Sequence, residues 1–187
     1  VCPVNPPPVI NSNKKCFINK MLIIPVIDLC DGIVVHAVSG KRKLYQPITS
    51  TISDDSEPES ILSAFFRLYP FKIIYIADLD SIEGKNNHSK LINKFANQYK
   101  ECEFWVDAGI KQVLAKESDY IGDNIKLILG SENAIQINDY QNLVETNPNL
   151  LLSLDFNKNG LVNNSYLLNK GIIWPKKVIV MMLHLVG

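Results

Sequence analysis

Leu22-Ile23-Ile24-Pro25-Val26-Ile27-Asp28-Leu29 is an almost unbroken apolar run that closes on an acid, with Gly32 three residues further on. A continuous run, rather than an alternating one, marks a strand buried on both faces, as in a parallel sheet. The unit recurs along the chain, at Lys72–Ala77 (KIIYIA), Phe104–Ala108, Lys126–Leu129, Leu150–Leu154 and Lys177–Leu183. Helical patterns lie between the runs. Ser56-Glu57-Pro58-Glu59 reads as a capping box, in which Ser56 accepts from an amide three residues on and Glu59 reaches back. The helix it opens places Ile61, Leu62, Phe65, Phe66, Leu68 and Tyr69 at helical spacing, and Pro70 stops it. Further helices are expected at Ser89–Tyr99, Gln112–Tyr120 and Asn138–Glu145, with a short segment at Ser165–Asn169. Strands alternating with helices give an α/β fold with a parallel sheet and about six βα units.

The 187 residues, 47% apolar and 20% charged, suffice for one sizeable core. Residues 1–20, rich in Pro and Asn, read as an irregular lead-in, and 21–187 as the folded domain. Nineteen basic residues balance nineteen acidic ones. No general affinity for nucleic acid or an anionic membrane is expected, because such binding rests on an excess of Lys and Arg. No apolar run approaches the roughly 18 residues of a membrane span, and the lead-in lacks the apolar core of a signal peptide. Cys2, Cys16, Cys30 and Cys102 form no CxxC pair and have no His at ligand spacing, so no metal site is expected. Free thiols fit a reducing, cytoplasmic setting.

Polar residues and glycines follow the strand ends: Asp28, Asp78, Asp80, Asp107, Gly109, Gly130, Ser131 and Asp155. In parallel α/β folds, and in barrels above all, that end carries the active site. Asp28 and Asp155 each close an apolar run with a glycine shortly after, and stand 155 − 28 = 127 residues apart, four βα units. In an eight-stranded barrel, strands one and five face each other, so the two carboxylates oppose one another at its mouth. Such a pair suits general acid and general base work when its environments push the two pKa values apart. The plainer reading is that both are helix caps or loop formers. Gly130-Ser131 offers an amide and a hydroxyl to a phosphate at a helix start, or is an ordinary turn with Ser as cap. Gly109 is a weaker instance of the same kind. Lys41, Arg42 and Lys43 form a basic loop that either closes on an anion or is simply solvated. His36, His88 and His184 read as structural or surface residues, and Trp105 as core.

Ile24-Pro25-Val26-Ile27-Asp28-Leu29-Cys30-Asp31-Gly32-Ile33-Val34-Val35 resembles the first strand of the histidine-biosynthesis (βα)8 barrels. The pattern is closest to that of the phosphoribosylformimino-5-aminoimidazole carboxamide ribotide isomerases. Tyr75-Ile76-Ala77-Asp78-Leu79-Asp80, Leu129-Gly130-Ser131 and Leu152-Ser153-Leu154-Asp155 follow in the family's order and spacing. The resemblance implies a TIM barrel, here incomplete, and an Amadori rearrangement of an aminoaldose to an aminoketose without metal or redox cofactor. It implies Asp28 and Asp155 as the catalytic aspartates, and Gly109, Gly130 and Ser131 as binders of one phosphate of a small phosphorylated substrate. Three features depart from the family: Val106-Asp107-Ala108-Gly109-Ile110 replaces a glycine cluster, Met182 stands where an acid is usual, and strands seven and eight are missing. Val35-His36-Ala37-Val38 and Asp107-Ala108-Gly109 are more similar to an isomerase-related branch of methanogens and methylotrophs. Two further readings therefore stand beside the isomerase. One is a sister enzyme acting on another phosphorylated metabolite, linked to one-carbon cofactor synthesis. The other is a non-catalytic partial barrel that self-associates through open sheet edges.

Overall fold

The computed structural model describes residues 21–38 and 42–185; the lead-in at 1–20, with Cys2 and Cys16, and Lys41 fall outside the described residues. The chain runs β1 (Val26–Cys30), β2 (Ile33–His36), β3 (Gln46–Pro47), α1 (Pro58–Leu68), β4 (Ile73–Asp78), α2 (Leu79–Ile82) and α3 (Ser89–Gln98). It continues through β5 (Glu103–Asp107), α4 (Ile110–Leu114), β6 (Ile125–Gly130), α5 (Ile137–Thr146), β7 (Leu151–Asn157), β8 (Gly160–Leu161) and β9 (Val178–Met182). The six long strands β1, β4, β5, β6, β7 and β9 pair in parallel, each with its predecessor in that order. A doubly wound sheet reverses its order at a switch point, whereas a barrel does not. The structure is an open arc of a (βα)8 barrel. No helix among the described residues is long and apolar enough to cross a membrane.

Parity sorts the strand residues into two layers. Ile27, Leu29, Ile74, Ile76, Phe104 and Val106 face outward and are fully buried against Ile61 and Leu62 of α1 and Ile92 and Phe95 of α3. Farther along the arc, Leu129, Leu152 and Leu154 pack on Val113 and Tyr140 in the same way. The opposite parity forms the inner lining, with Tyr75, Ala77, Ile128, Leu151, Ile179 and Met181. Apolar surface is left bare at the two ends of the arc, where Val26 is 56% and Val180 64% exposed.

Several local expectations are corrected. The first strand begins at Val26 rather than Leu22, although the Pro25 carbonyl still accepts from the Tyr75 amide. Ser56 does not cap α1. Glu57 is the N-cap without a side-chain bond, Pro58 follows with its preset φ, and Glu59 pairs with Lys94. Asp55 organises the approach instead, accepting from the Glu57 amide and the Ser60 hydroxyl. The helix expected at Gln112–Tyr120 is only Ile110–Leu114, because the chain turns extended at Ala115 and carries Tyr120 back toward β4. The β1–β2 hairpin went unread. Asp31 and Gly32 both have positive φ, 50° and 83°, the geometry that a two-residue Asp-Gly hairpin loop requires.

Asn124 fastens the end of α3 to the start of β5. Its side-chain amide donates to the carbonyls of Ala96, Tyr99 and Cys102 at 3.1, 3.3 and 2.8 Å, of which that of Tyr99 also accepts from the Cys102 amide. Asn124→Ala is expected to lower unfolding stability by about 1.5–3 kcal/mol, the range for stranding partly buried acceptors. Asn124→Asp should be no better, since a carboxylate cannot donate. Denaturant melts would show a lower midpoint at unchanged slope, and an unaltered midpoint would refute the role.

Candidate active site at the mouth of the barrel

The register decides which side chains meet at the mouth. Following the rung from Asp28 leads to Ala77, then Asp107, then Ile128, which is one residue past the Val106–Leu127 pair, and then Leu151. A barrel of eight strands and shear eight advances one residue per strand-to-strand step. Four steps from Asp28, the residue at the same height is therefore four beyond Leu151, which is Asp155. Parity points both inward. Asp107 lies on the rung two strands away, hence two residues below that level, roughly 5 Å deeper.

These aspartates are held very differently. Asp155 is 4% exposed, with one carboxylate oxygen taking the Ser153 hydroxyl at 2.6 Å and the other taking the Ser131 hydroxyl at 3.2 Å. The Asp155 amide in turn donates to Ser131 Oγ at 2.8 Å. Asp28 has no side-chain hydrogen bond among the described residues. Burial pushes it up to about 6, against the opposing pull of His36 and Arg42. Asp107 is enclosed by protein yet keeps an opening toward the cleft. Burial raises it to about 7, the Gly109 amide at 3.1 Å opposes this, and Glu132 and Asp155 push in the same direction as burial. Glu132, in the loop after β6, is raised by burial and by Asp155. Tyr75 stands among them, and Asp107, Asp155, Asp28 and Glu132 all act on its hydroxyl. Arg42 is the cation that reaches this group, from a loop where it also pairs with Glu83 at 2.7 Å.

Asp78 and Asp80 have outward-facing, structural work. Asp78 accepts from the Ser81 amide, the His88 amide, His88 Nδ1 and the Tyr120 hydroxyl, so the end of β4 is tied to two following segments. His88, read as a structural or surface residue with no partner visible, is in fact clamped. Its Nε2 receives the Gly32 amide at 3.0 Å, and its pKa is raised, first by Asp78. Asp80 accepts from the Asp31 amide and holds the hairpin. Cys30, Asp31 and Asp80 bring a sulfur and two carboxylates within 4.8 Å. Burial, Asp80 and Asp31 all keep the thiol protonated there, which works against metal ligation.

The local structure at Gly130 and Ser131 differs from the helix start expected there. Ser131 does not start a helix, since α5 begins at Ile137. Its hydroxyl is committed to Asp155 and its amide to the Ser153 carbonyl at 2.8 Å. Gly130 lies so close to Asp155 that an added Cβ would stand 3.3 Å from Oδ2. Gly109 has φ +79° and an added Cβ would meet Ile82 Cα at 3.0 Å, so the position admits only glycine, while its amide serves Asp107. These three residues support the carboxylates rather than presenting free donors. Sequence reasoning had not named Tyr75 as a site residue, had noted Asp107 only among the polar strand ends, and had passed over Glu132. Parity with Asp28 marks the first two, whereas nothing local marks Glu132.

Residues 22–179 match the profile of the histidine biosynthesis protein family. The chain is also 35% identical over 150 residues to the uncharacterized protein MJ0703 of Methanocaldococcus jannaschii, covering 78% of this chain and 61% of that relative. The chain belongs to the histidine biosynthesis protein family, a family of TIM barrels, and spans about three-fifths of the relative's length.

A carboxyl whose pKa is higher folded than unfolded keeps its proton longer in the folded state. Stability is therefore lost as pH climbs from the unfolded value near 3.8 to about 6. Asp28→Asn is expected to stabilise the protein at pH 8 by on the order of 1–2 kcal/mol, after discounting the carboxyl's open side. The gain should vanish at pH 3.5. Thermal melts of both proteins across that window decide it, and a pH-independent difference would contradict the assignment.

Proposed function

We propose that this member of the histidine biosynthesis family is an aldose–ketose isomerase that performs an Amadori rearrangement on a phosphorylated ribosyl-aminoimidazole. The observation that carries the reading is the placement of Asp28 and Asp155 at one height on opposite sides of the inner face, in unlike environments. Asp28, held up near 6, is the acid. It gives its proton to the ribose ring oxygen as the bond from that oxygen to C1 breaks, and the amine nitrogen supplies the electron pair that forms C1=N. Asp155, anchored by Ser131 and Ser153, is the base that takes the proton from C2. The electrons move into C1=C2 and neutralise the nitrogen. Loss of the C2 hydroxyl proton and return of a proton to C1 then give the ketose, with no net gain or loss of atoms. Arg42 is the cation placed to meet a phosphate at the rim.

Two features favour other readings. Asp107 and Met182 depart from the family pattern and favour a sister enzyme for another phosphorylated metabolite. The bare Val26 and Val180 at the ends of the arc favour a partial barrel that self-associates; sedimentation across a concentration series tests that, with a monomer throughout telling against it. For the isomerase, the full-length gene should restore growth to a histidine auxotroph lacking this step. Asp28→Asn and Asp155→Asn should each cut turnover by about 10²–10⁴-fold. Failure of the unmodified gene to complement, or full growth with either variant, would remove the isomerase reading.

A further inference from the structure

Tyr75 is 8% exposed, on the inner lining beside Ala77, Ile128 and Leu151, and its hydroxyl has no hydrogen-bond partner among the described residues. The ring is buried but the hydroxyl is not fully enclosed, so the donor stays open to the cleft. Its contrast with Tyr120 and Tyr140 is direct: those donate to Asp78 at 2.7 Å and to the Ile173 carbonyl at 2.8 Å. The groups turned toward Tyr75 are four acids, Asp107, Asp155, Asp28 and Glu132. Among the described residues, neither Asp28 nor Glu132 has a side-chain hydrogen bond, and Asp107 takes only the Gly109 amide. The floor of the cleft thus combines one unused donor with several unused acceptors of one charge sign. An anion would be repelled there, and an apolar group would strand every one of them.

We propose that this floor binds a cationic nitrogen of the substrate, a protonated amine or an amidinium distinct from the amine whose electron pair opens the ring, with Asp107 and Glu132 accepting from it and Tyr75 donating to an oxygen on an adjacent carbon. The inference rests on the active-site reading above and sharpens it. The ligand is a phosphorylated metabolite that carries a positive charge beside its reacting carbons, its phosphate held at the rim by Arg42, and Asp107 and Glu132 discriminate it from neutral sugars. Burial first, and the negative charge of the neighbouring acids second, hold the Tyr75 pKa well above its ordinary value, so the hydroxyl keeps its proton and acts as a fixed donor. Asp107 and Glu132, each raised in the free protein, release protons when the cation arrives, so affinity climbs with pH. His36, Arg42 and Tyr45 border the same cleft. Arg42 and His36 are the basic neighbours of Asp28 there.

The test uses glucosamine 6-phosphate and glucose 6-phosphate, which differ by one amino group, titrated calorimetrically into the intact chain. At pH 8 the amine should bind at least tenfold more tightly, and the advantage should fall to less than threefold at pH 5. Asp107→Asn, close in shape to the original, should reduce the advantage about fivefold or more, whereas Tyr75→Phe, which removes a donor to an oxygen that both sugars carry, should weaken the two ligands alike. Equal affinities at pH 8, no binding of the amine, or a preference that ignores pH would overturn the proposal. The pH comparison needs no variant, so it decides the matter even where a substitution impairs folding. An amine preference in a protein that fails to complement the histidine auxotroph would sustain this inference while removing the isomerase. Complementation without the preference would do the reverse.

Discussion

The one-residue stagger between neighbouring parallel strands is the constraint on which the site depends. It follows from strand twist and tilt, and it carries a residue at the end of β7 to the height of one at the end of β1. Alternation then decides direction. Ile27 and Leu29 are buried against helices, so Asp28 between them must face inward, and Leu152 and Leu154 impose the same on Ser153 and Asp155. A slip of one residue in any pairing would turn an acid into the helix layer and an isoleucine or leucine into the cleft. The apolar face that stabilises the fold is thereby also the device that aims the carboxylates.

Much of this was legible in the chain. The six apolar runs located the six parallel strands, because strands buried on both faces need no polar alternation. Asp28 and Asp155 were legible as a pair from spacing and from resemblance. Their partners were not, since Ser131 and Ser153 reach Asp155 through the β6–β7 pairing, a tertiary contact. The misreading of Ser131 has the same origin. A serine after a strand is ordinarily a cap, but here the helix starts six residues later and the hydroxyl turns to the neighbouring strand. His88 was opaque for another reason. Its partners Asp78 and Gly32 lie 10 and 56 residues away, across two different loops. The Asp31-Gly32 turn, by contrast, carried a local signal, masked because the flanking apolar runs read as one strand and its tail.

Four acids of similar intrinsic strength at the strand ends are separated by what surrounds them. Asp78, outward and fully enclosed, is matched by four donors and lies below its ordinary pKa, its hydrogen bonds outweighing burial. Asp155 has two serine hydroxyls. Asp28 has none and Asp107 has one amide, and both are raised. The order follows donor supply rather than depth alone: a buried carboxylate is tolerated in proportion to the hydrogen bonds aimed at it. Satisfied acids hold segments together, and under-satisfied ones are reserved for a ligand.

Gly109 shows how fold and site draw on the same residue. Its left-handed backbone and its contact with Ile82 bring the β5–α4 turn against α2, so a side chain there would push two segments apart. That same turn aims the Gly109 amide back at Asp107, giving the deepest acid its single donor. One amide is too little to hold Asp107 as a settled carboxylate and enough to fix one of its oxygens in place. The other oxygen remains directed by the first, without a partner of its own. A carboxylate oriented but not neutralised is what a cation-binding floor requires, and the turn that creates it is also required to close α4 onto the sheet.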